Sequence, residues 1–149
     1  MEIDLKKLVQ FKINACQKTY ASGKNQVKSC RKDSHDYSYA EGDFRYYDSF
    51  VGSKKFAGQE CIYYKDNVVF AMNYYGFALS TEYDSAFLKE ALRAINDKDF
   101  YRGPQLYTQS PFTYQCLSHG EIQNFQGEEN IFYYDKKVYT CYFQGGLIE

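Results

Sequence analysis

Apolar residues recur at helical spacing near the start of the chain, at Leu5, Leu8, Val9, Ile13, Cys16 and Tyr20. The acids Glu2 and Asp4 precede this stripe and Lys18 closes it, which suits the helix dipole, so a first helix is expected from residue 4 to about residue 20. Gly23 ends it and opens a loop. From Tyr37 the period changes to two. Aromatic and polar residues alternate through DYSYAEGDFRYYDSFVGSKKF, with turn residues at Glu41-Gly42-Asp43 and Gly52-Ser53, predicting strands near 36–40 and 43–51. A hairpin is expected next, with strands over 60–65 and 68–75 about a two-residue turn at Asp66-Asn67. In that register Ile62, Tyr64, Val69, Ala71, Asn73 and Tyr75 share one face, while Tyr63, Lys65, Val68, Phe70, Met72 and Tyr74 share the other. One face is expected under the helices and the other in a groove or a subunit contact. Helical spacing returns in DSAFLKEALRAIN, where Leu88, Ala91, Leu92 and Ile95 form a stripe behind an N-cap at Asp84 or Ser85. A loop through Tyr101-Arg102-Gly103-Pro104, a strand near 112–118, a turn at His119-Gly120 and a second hairpin follow.

That second hairpin repeats the first. Residues 56–76, FAGQECIYYKDNVVFAMNYYG, align without a gap on 125–145, FQGEENIFYYDKKVYTCYFQG, at a shift of 69 (125 − 56). Phe56, Gly58, Glu60, Ile62, Tyr64, Asp66, Val69 and Gly76 meet identical residues, against about one or two matches by chance. Ile131, Tyr133, Val138, Thr140 and Tyr142 are expected on one side of the second copy, with Phe132, Tyr139, Cys141 and Phe143 on the other. Sliding the helices by 80 places Leu8 on Leu88 and Gly23 on Gly103. The expected architecture is one α+β domain over 1–149, a tandem duplication of helix-strand-strand-hairpin units at about 4–79 and 84–148. Its two helices pack on an antiparallel sheet with pseudo-twofold symmetry. The first half is longer by 11 residues (80 − 69), and the excess falls on the basic loop and Ser34-His35-Asp36.

Composition sharpens this toward sheet: 19% of residues are aromatic, with 17 Tyr, 12 Phe and no Trp. A net charge of −1 excludes the broad basic footprint of a dedicated nucleic-acid binder, and no direct nucleic-acid binding is expected. The one local excess of cations is Lys24, Lys28, Arg31 and Lys32, read as a solvated loop or an anion-binding patch. Five cysteines without a CxxC pair read as small buried thiols, and neither cofactor nor metal is expected. The start MEIDLKKLVQF is no signal peptide and no apolar run approaches the ~20 residues of a membrane span, so a cytoplasmic protein with no membrane partner is expected.

The motifs SCRKDSHDYSYAEGD at 29–43, YYDSFVGSKKFAGQE at 46–60, AMNYYG at 71–76, YRGP at 101–104, and FQGEE with YFQGG near the end form a specific set. Through them, residues 30–148 resemble a bacterial domain family of unknown function found alone or behind XRE-type helix-turn-helix domains in regulators. No such DNA-binding domain is expected before residue 1. The resemblance implies a ligand-sensing or partner-binding module.

The candidate ligand-binding residues are Arg31, Ser34, His35, Asp36, Tyr39, Asp43, Asn73, Tyr75 and Arg102. Arg31, His35 and Arg102 supply donors for a phosphate or carboxylate and tyrosines supply rings, which points to a non-enzymatic module binding an anionic or nucleotide-like small molecule. The alternative is a protein-interaction or inhibitor module, or a homodimer, acting through an aromatic sheet face. The third reading is a hydrolase on Ser34, His35 and Asp36, although no nucleophile elbow is present. Glu60 and Glu129, behind Phe-x-Gly, are read as duplicated structure in which the glycines allow bulges and each Glu bonds exposed backbone, rather than as a catalytic carboxylate pair. Asp48, Asp43, Glu41 and His35 lack the tight alternation of a hard-metal loop.

Overall fold

The computed structural model describes residues 3–149, so the expected first-turn acid Glu2 lies outside the described residues. Helix α1 spans Leu5–Lys18 and α2 spans Ser85–Arg93. Each begins at an aspartate that satisfies first-turn donors: Asp4 accepts from the N–H groups of Lys6 and Lys7, and Asp84 from that of Ala86. A 3-10 turn at Tyr20–Ser22 follows α1 and ends at Gly23, whose φ of 69° is left-handed.

The strands are β1 (Gln26–Val27), β2 (Ser34–Glu41), β3 (Phe44–Gly52), β4 (Lys55–Tyr64), β5 (Asn67–Ala78), β6 (Leu106–Gln109), β7 (Phe112–Glu121), β8 (Asn124–Tyr133) and β9 (Lys136–Leu147). They form one antiparallel sheet in the order β1-β2-β3-β4-β5-β9-β8-β7-β6. Each half thus starts at an edge and works inward, and β5 meets β9 at the middle, Tyr75 opposite Tyr142. Two helices lie against one face of the sheet, the expected α+β arrangement. The bounds of β8 and β9 follow those of β4 and β5 at a constant shift of 69 (124 − 55, 136 − 67).

The hairpin turn falls one residue earlier than expected. Lys65 and Asp66 take φ values of 47° and 65°, as a type I′ turn requires, and Tyr64 pairs with Asn67. A bulge between Ile62 and Tyr63 then shifts the register, so Ile62 lies opposite Phe70. The faces therefore sort differently: Glu60, Ile62, Phe70, Met72 and Tyr74 are buried under the helices, while Asn73 and Tyr75 face outward. Ile62 does not share a face with Asn73 and Tyr75. The second hairpin has its bulge between Ile131 and Phe132, so Ile131 is buried with Tyr139, Cys141 and Phe143 and not grouped with the exposed Tyr142. Plain alternation misses a bulge because the inserted residue inverts every face beyond it. His119-Gly120, expected as a turn, lies inside β7, and the chain reverses after Glu121, which pairs with Asn124.

Capping and ring packing give two matches between the helices. The caps Asp4 and Asp84 keep the expected shift of 80 (84 − 4), whereas Phe11 stacks on Phe44 and Phe87 on Phe112, both at 5.0 Å, a match at a shift of 76 (87 − 11). One helical turn separates the two alignments.

The Phe-x-Gly motif serves packing rather than a bulge. Gly58 lies opposite Tyr74 and Gly127 opposite Phe143, and a Cβ at either would come 2.5 Å from Tyr74 Oη or 2.4 Å from Phe143 Cζ. The missing side chain lets an aromatic ring lie across the neighbouring strand. Gly127→Ala is expected to cost about 1–3 kcal/mol, as overpacking does, measured by urea unfolding. A loss below about 0.5 kcal/mol, the range of neutral surface changes, would show that the ring moves freely.

Candidate functional site

Alternation along β3 and β4 brings Asp48 and Glu60 opposite each other on the helix side, two acids on adjacent strands. At the matching place in the second half, Glu129 faces Cys116. Each glutamate has its own cation. Lys12, from the buried stripe of α1, lies 3.1 Å from Glu60 Oε2, off the line of a hydrogen bond, and donates to the Tyr101 carbonyl at 2.8 Å. Arg102 donates to Glu129 Oε1 at 2.7 and 3.3 Å, and the hydroxyls of Tyr114 and Tyr139 donate to Glu129 at 2.6 and 2.7 Å. The expected bonds from these glutamates to backbone are replaced by side-chain partners.

Asp48 stands apart. It is 4% exposed, and its Oδ1 accepts from the Tyr74 hydroxyl at 2.6 Å. Burial, and then the neighbouring Glu60, push its carboxyl up to about 7, against the Tyr74 hydrogen bond that pulls it down. Burial likewise pushes the phenol of Tyr74 well up. The Arg102 guanidinium lies 5.0 Å from the centre of the Tyr74 ring, which links the two halves of the cluster.

Above Asp48 lies a cavity of about 690 Å³ between the sheet and the helix ends. That volume falls in the range of small-molecule sites, roughly 300–1,000 Å³. Tyr20, Tyr37, Phe50, Phe56, Tyr74 and Tyr83 form its walls, Asp48 and Arg102 lie at its floor, and the exposed His35, Lys54 and Ser85 stand at its rim. A space of about 20 Å³ adjoins it, shared by Asp48, Glu60 and Arg102. That is room for about one water.

Of the expected site residues, the structure brings His35 and Arg102 to this cavity and places the others elsewhere. Arg31 lies across the sheet, where it donates to the carbonyl and hydroxyl of Ser49 at 3.1 Å beside an open groove with Tyr47 and Gln59. Arg31 therefore does not join His35 and Arg102 around one ligand. Ser34 donates to Asp36 at 2.6 Å, and Asp36 also accepts from Ser49 and from the Cys30 N–H. Because successive strand residues face opposite ways, His35 points to Phe50 while Ser34 and Asp36 point to the other face. The three cannot act as a triad. Tyr39 stacks on Phe11 and bonds Glu41 and Lys18; Asp43 sits exposed at the β2–β3 turn; Asn73 accepts from Gln59 on the open face, beside Tyr75.

The residues that sequence reasoning missed are Asp48, weighed there only as a metal ligand, and the rings of Tyr20 and Tyr83. The difference between Asp48 and Cys116 carries the signal, but reading it requires the strand register. Among the described residues no group of three or more His, Cys, Asp and Glu is placed to hold a metal. Cys116 and Cys141 are buried as expected, whereas Cys30 is exposed. No helix among the described residues is long and apolar enough to cross a membrane.

A family model, described as a domain of unknown function (DUF5680), matches residues 48–148. The chain belongs to this family. The DUF5680 match begins at Asp48 and includes Glu60, Tyr74, Tyr83, Arg102 and Glu129, leaving Lys12, Tyr20, His35 and Tyr37 ahead of it. No curated protein and no solved structure matches the chain.

Proposed function

We propose that this DUF5680 domain is a non-enzymatic small-molecule-binding module whose ligand occupies the cavity between the sheet and the helix ends. The carrying observation is the cavity itself: about 690 Å³ with aromatic walls and a few converging polar groups, Asp48, His35 and Arg102. An anionic ligand no longer fits best, because Arg31 is remote and Arg102 is neutralised by Glu129. Placement behind helix-turn-helix domains in bacterial relatives, if general, would make such a module a sensor. A cytoplasmic setting, in which the exposed Cys30 stays reduced, belongs to the same reading. So does a tandem duplication, supported by the constant shift between the hairpins and their matching bulges.

Ser85, exposed at the first turn of α2, gives a way to close the cavity without touching the core. A metabolite library is expected to contain a compound that raises Tm by roughly 5–10 °C at ~100-fold excess over Kd. Ser85→Trp is expected to remove that shift while leaving the free protein's Tm within a few degrees. A library that shifts neither protein would sink the proposal.

A second reading, a protein contact or homodimer, is favoured by the uncovered face of the sheet, where Tyr75, Tyr142 and Leu117 are 46%, 49% and 52% exposed. Sedimentation of the wild type and of Tyr75→Ser tests it: a dimer lost in the variant supports this reading, and a monomer at all concentrations argues against self-association.

A further inference from the structure

We propose that the cavity selects an organic monocation, an amine or quaternary ammonium ion, whose charge rests against Asp48 and whose apolar groups contact the surrounding rings. This rests on the reading of the cavity as a ligand site and adds the sign of the ligand's charge.

The buried charges at and beneath the cavity floor do not balance. Three acids, Asp48, Glu60 and Glu129, meet two cations, Lys12 and Arg102, and each cation is already paired: Lys12 with Glu60 at 3.1 Å and Arg102 with Glu129 at 2.7 Å. Glu129 is further satisfied by two tyrosine hydroxyls. Asp48 is left with one neutral donor, the Tyr74 hydroxyl on Oδ1. Among the described residues no ammonium or guanidinium comes within ion-pair distance of it, and its Oδ2 makes no hydrogen bond. A carboxyl that is 4% exposed, lines the cavity and has a free oxygen is an unfilled acceptor aimed at the ligand space.

The walls fit the same ligand. Tyr20, Tyr37, Phe50, Phe56 and Tyr74 present rings around this space, and aromatic rings attract a desolvated cation. Arg102 already exploits the Tyr74 ring in this way, at 5.0 Å. An anion would instead meet Asp48 with no uncommitted cation at the floor, and the exposed Lys54 and His35 stand at the rim. The equivalent place in the second half carries Cys116, so this acid has no counterpart there.

The test uses the full chain at pH 8, where the Asp48 carboxyl, at about 7, is mostly ionised. Calorimetric titration compares benzyltrimethylammonium, its neutral isostere neopentylbenzene in cosolvent, and the anion-bearing benzyl probe phenylacetate, each against the wild type, Asp48→Asn and Ser85→Trp. Asp48→Asn keeps an oxygen for the Tyr74 hydroxyl, and its fold is checked by circular dichroism and urea unfolding. The expected result is that the cation binds best, loses about 10- to 100-fold in affinity in Asp48→Asn, as for removal of a facing opposite charge in a partly hydrated site, and is excluded by Ser85→Trp. If phenylacetate or the neutral probe binds as tightly, or if Asp48→Asn leaves cation affinity unchanged while Ser85→Trp abolishes it, the cation inference is overturned and the cavity reading stands. If no probe binds the wild type, or Ser85→Trp leaves all binding intact, the cavity reading fails and the inference falls with it.

Discussion

Exchanging Glu129 for Gln is expected to cost about 3–5 kcal/mol of folding stability, the range for removing one partner of a buried ion pair. Gln preserves volume, so the loss reports charge and hydrogen bonding rather than a cavity. Four bonds converge on this carboxylate, two from Arg102 and one each from Tyr114 and Tyr139. Without the negative charge, the buried guanidinium is left uncompensated and an amide N–H group is turned toward donors. Arg102 depends on it most directly, because burial works against its charge and Glu129 beside it outweighs that penalty. Total stabilities of small domains run to about 5–15 kcal/mol, so Glu129→Gln would remove a large fraction of the whole. Tyr114→Phe, which removes one donor to a charged acceptor, is expected to cost about 1.5–3 kcal/mol. Urea unfolding at constant slope measures both. A loss below about 1 kcal/mol for Glu129→Gln would show that water reaches the cluster and takes over its bonds.

Asp48→Asn is expected to act in the opposite direction. The Asp48 carboxyl rises from about 3.9 in the unfolded chain to about 7 in the folded one, so between those values the native state holds a proton that the unfolded state has released. Its contribution to stability is therefore fully present below about pH 4, falls as pH rises, and is gone above about pH 7. About three pKa units at about 1.4 kcal/mol each make the effect as large as about 4 kcal/mol. Asn carries no charge, so the variant is expected to be more stable than the wild type at pH 8 by up to that amount, with the advantage vanishing toward pH 4. Two other carboxyls tilt the profile the other way. They are Asp36, where burial is outweighed by bonds from Cys30, Ser34 and Ser49, and Glu82, held low by its own backbone N–H and by Lys136. The informative quantity is the difference between the two proteins across pH 4–8, from which those contributions cancel. Parallel profiles would mean that Asp48 is solvated in the folded state. A gain in stability from removing a charge is also what a binding site predicts, since the uncompensated acid is held ready for a ligand at a cost to the free fold.

Local chemistry made the elements legible. The stripes of α1 and α2, their aspartate caps, the alternation of β2 and β3 and the repeated hairpin all follow from side-chain period and capping, which act within a few residues of chain. The α+β class followed from those elements alone. Two kinds of information were out of reach. The first was register: one inserted residue at each bulge moved Ile62 and Ile131 to the side opposite that expected, and only the cross-strand partners Phe70 and Tyr139 reveal it. The second was which distant residues share a space. Ser34, His35 and Asp36 looked like a unit because they are adjacent in sequence, yet adjacency in a strand places neighbours on opposite faces. Asp48 looked like an ordinary strand acid. Its free oxygen and raised carboxyl come from burial, from Glu60 on the next strand and from the commitment of Lys12 and Arg102 to other acids, interactions between residues up to 48 positions apart (60 − 12). By itself the sequence determined the helices, the longer strands and the repetition of the hairpin, because these depend on short-range periodicity; the short edge strands β1 and β6 lie in stretches expected as loops. The tertiary structure alone decided which face is buried and which acid lacks a partner, because burial and charge balance are set by groups that only the folded chain brings together.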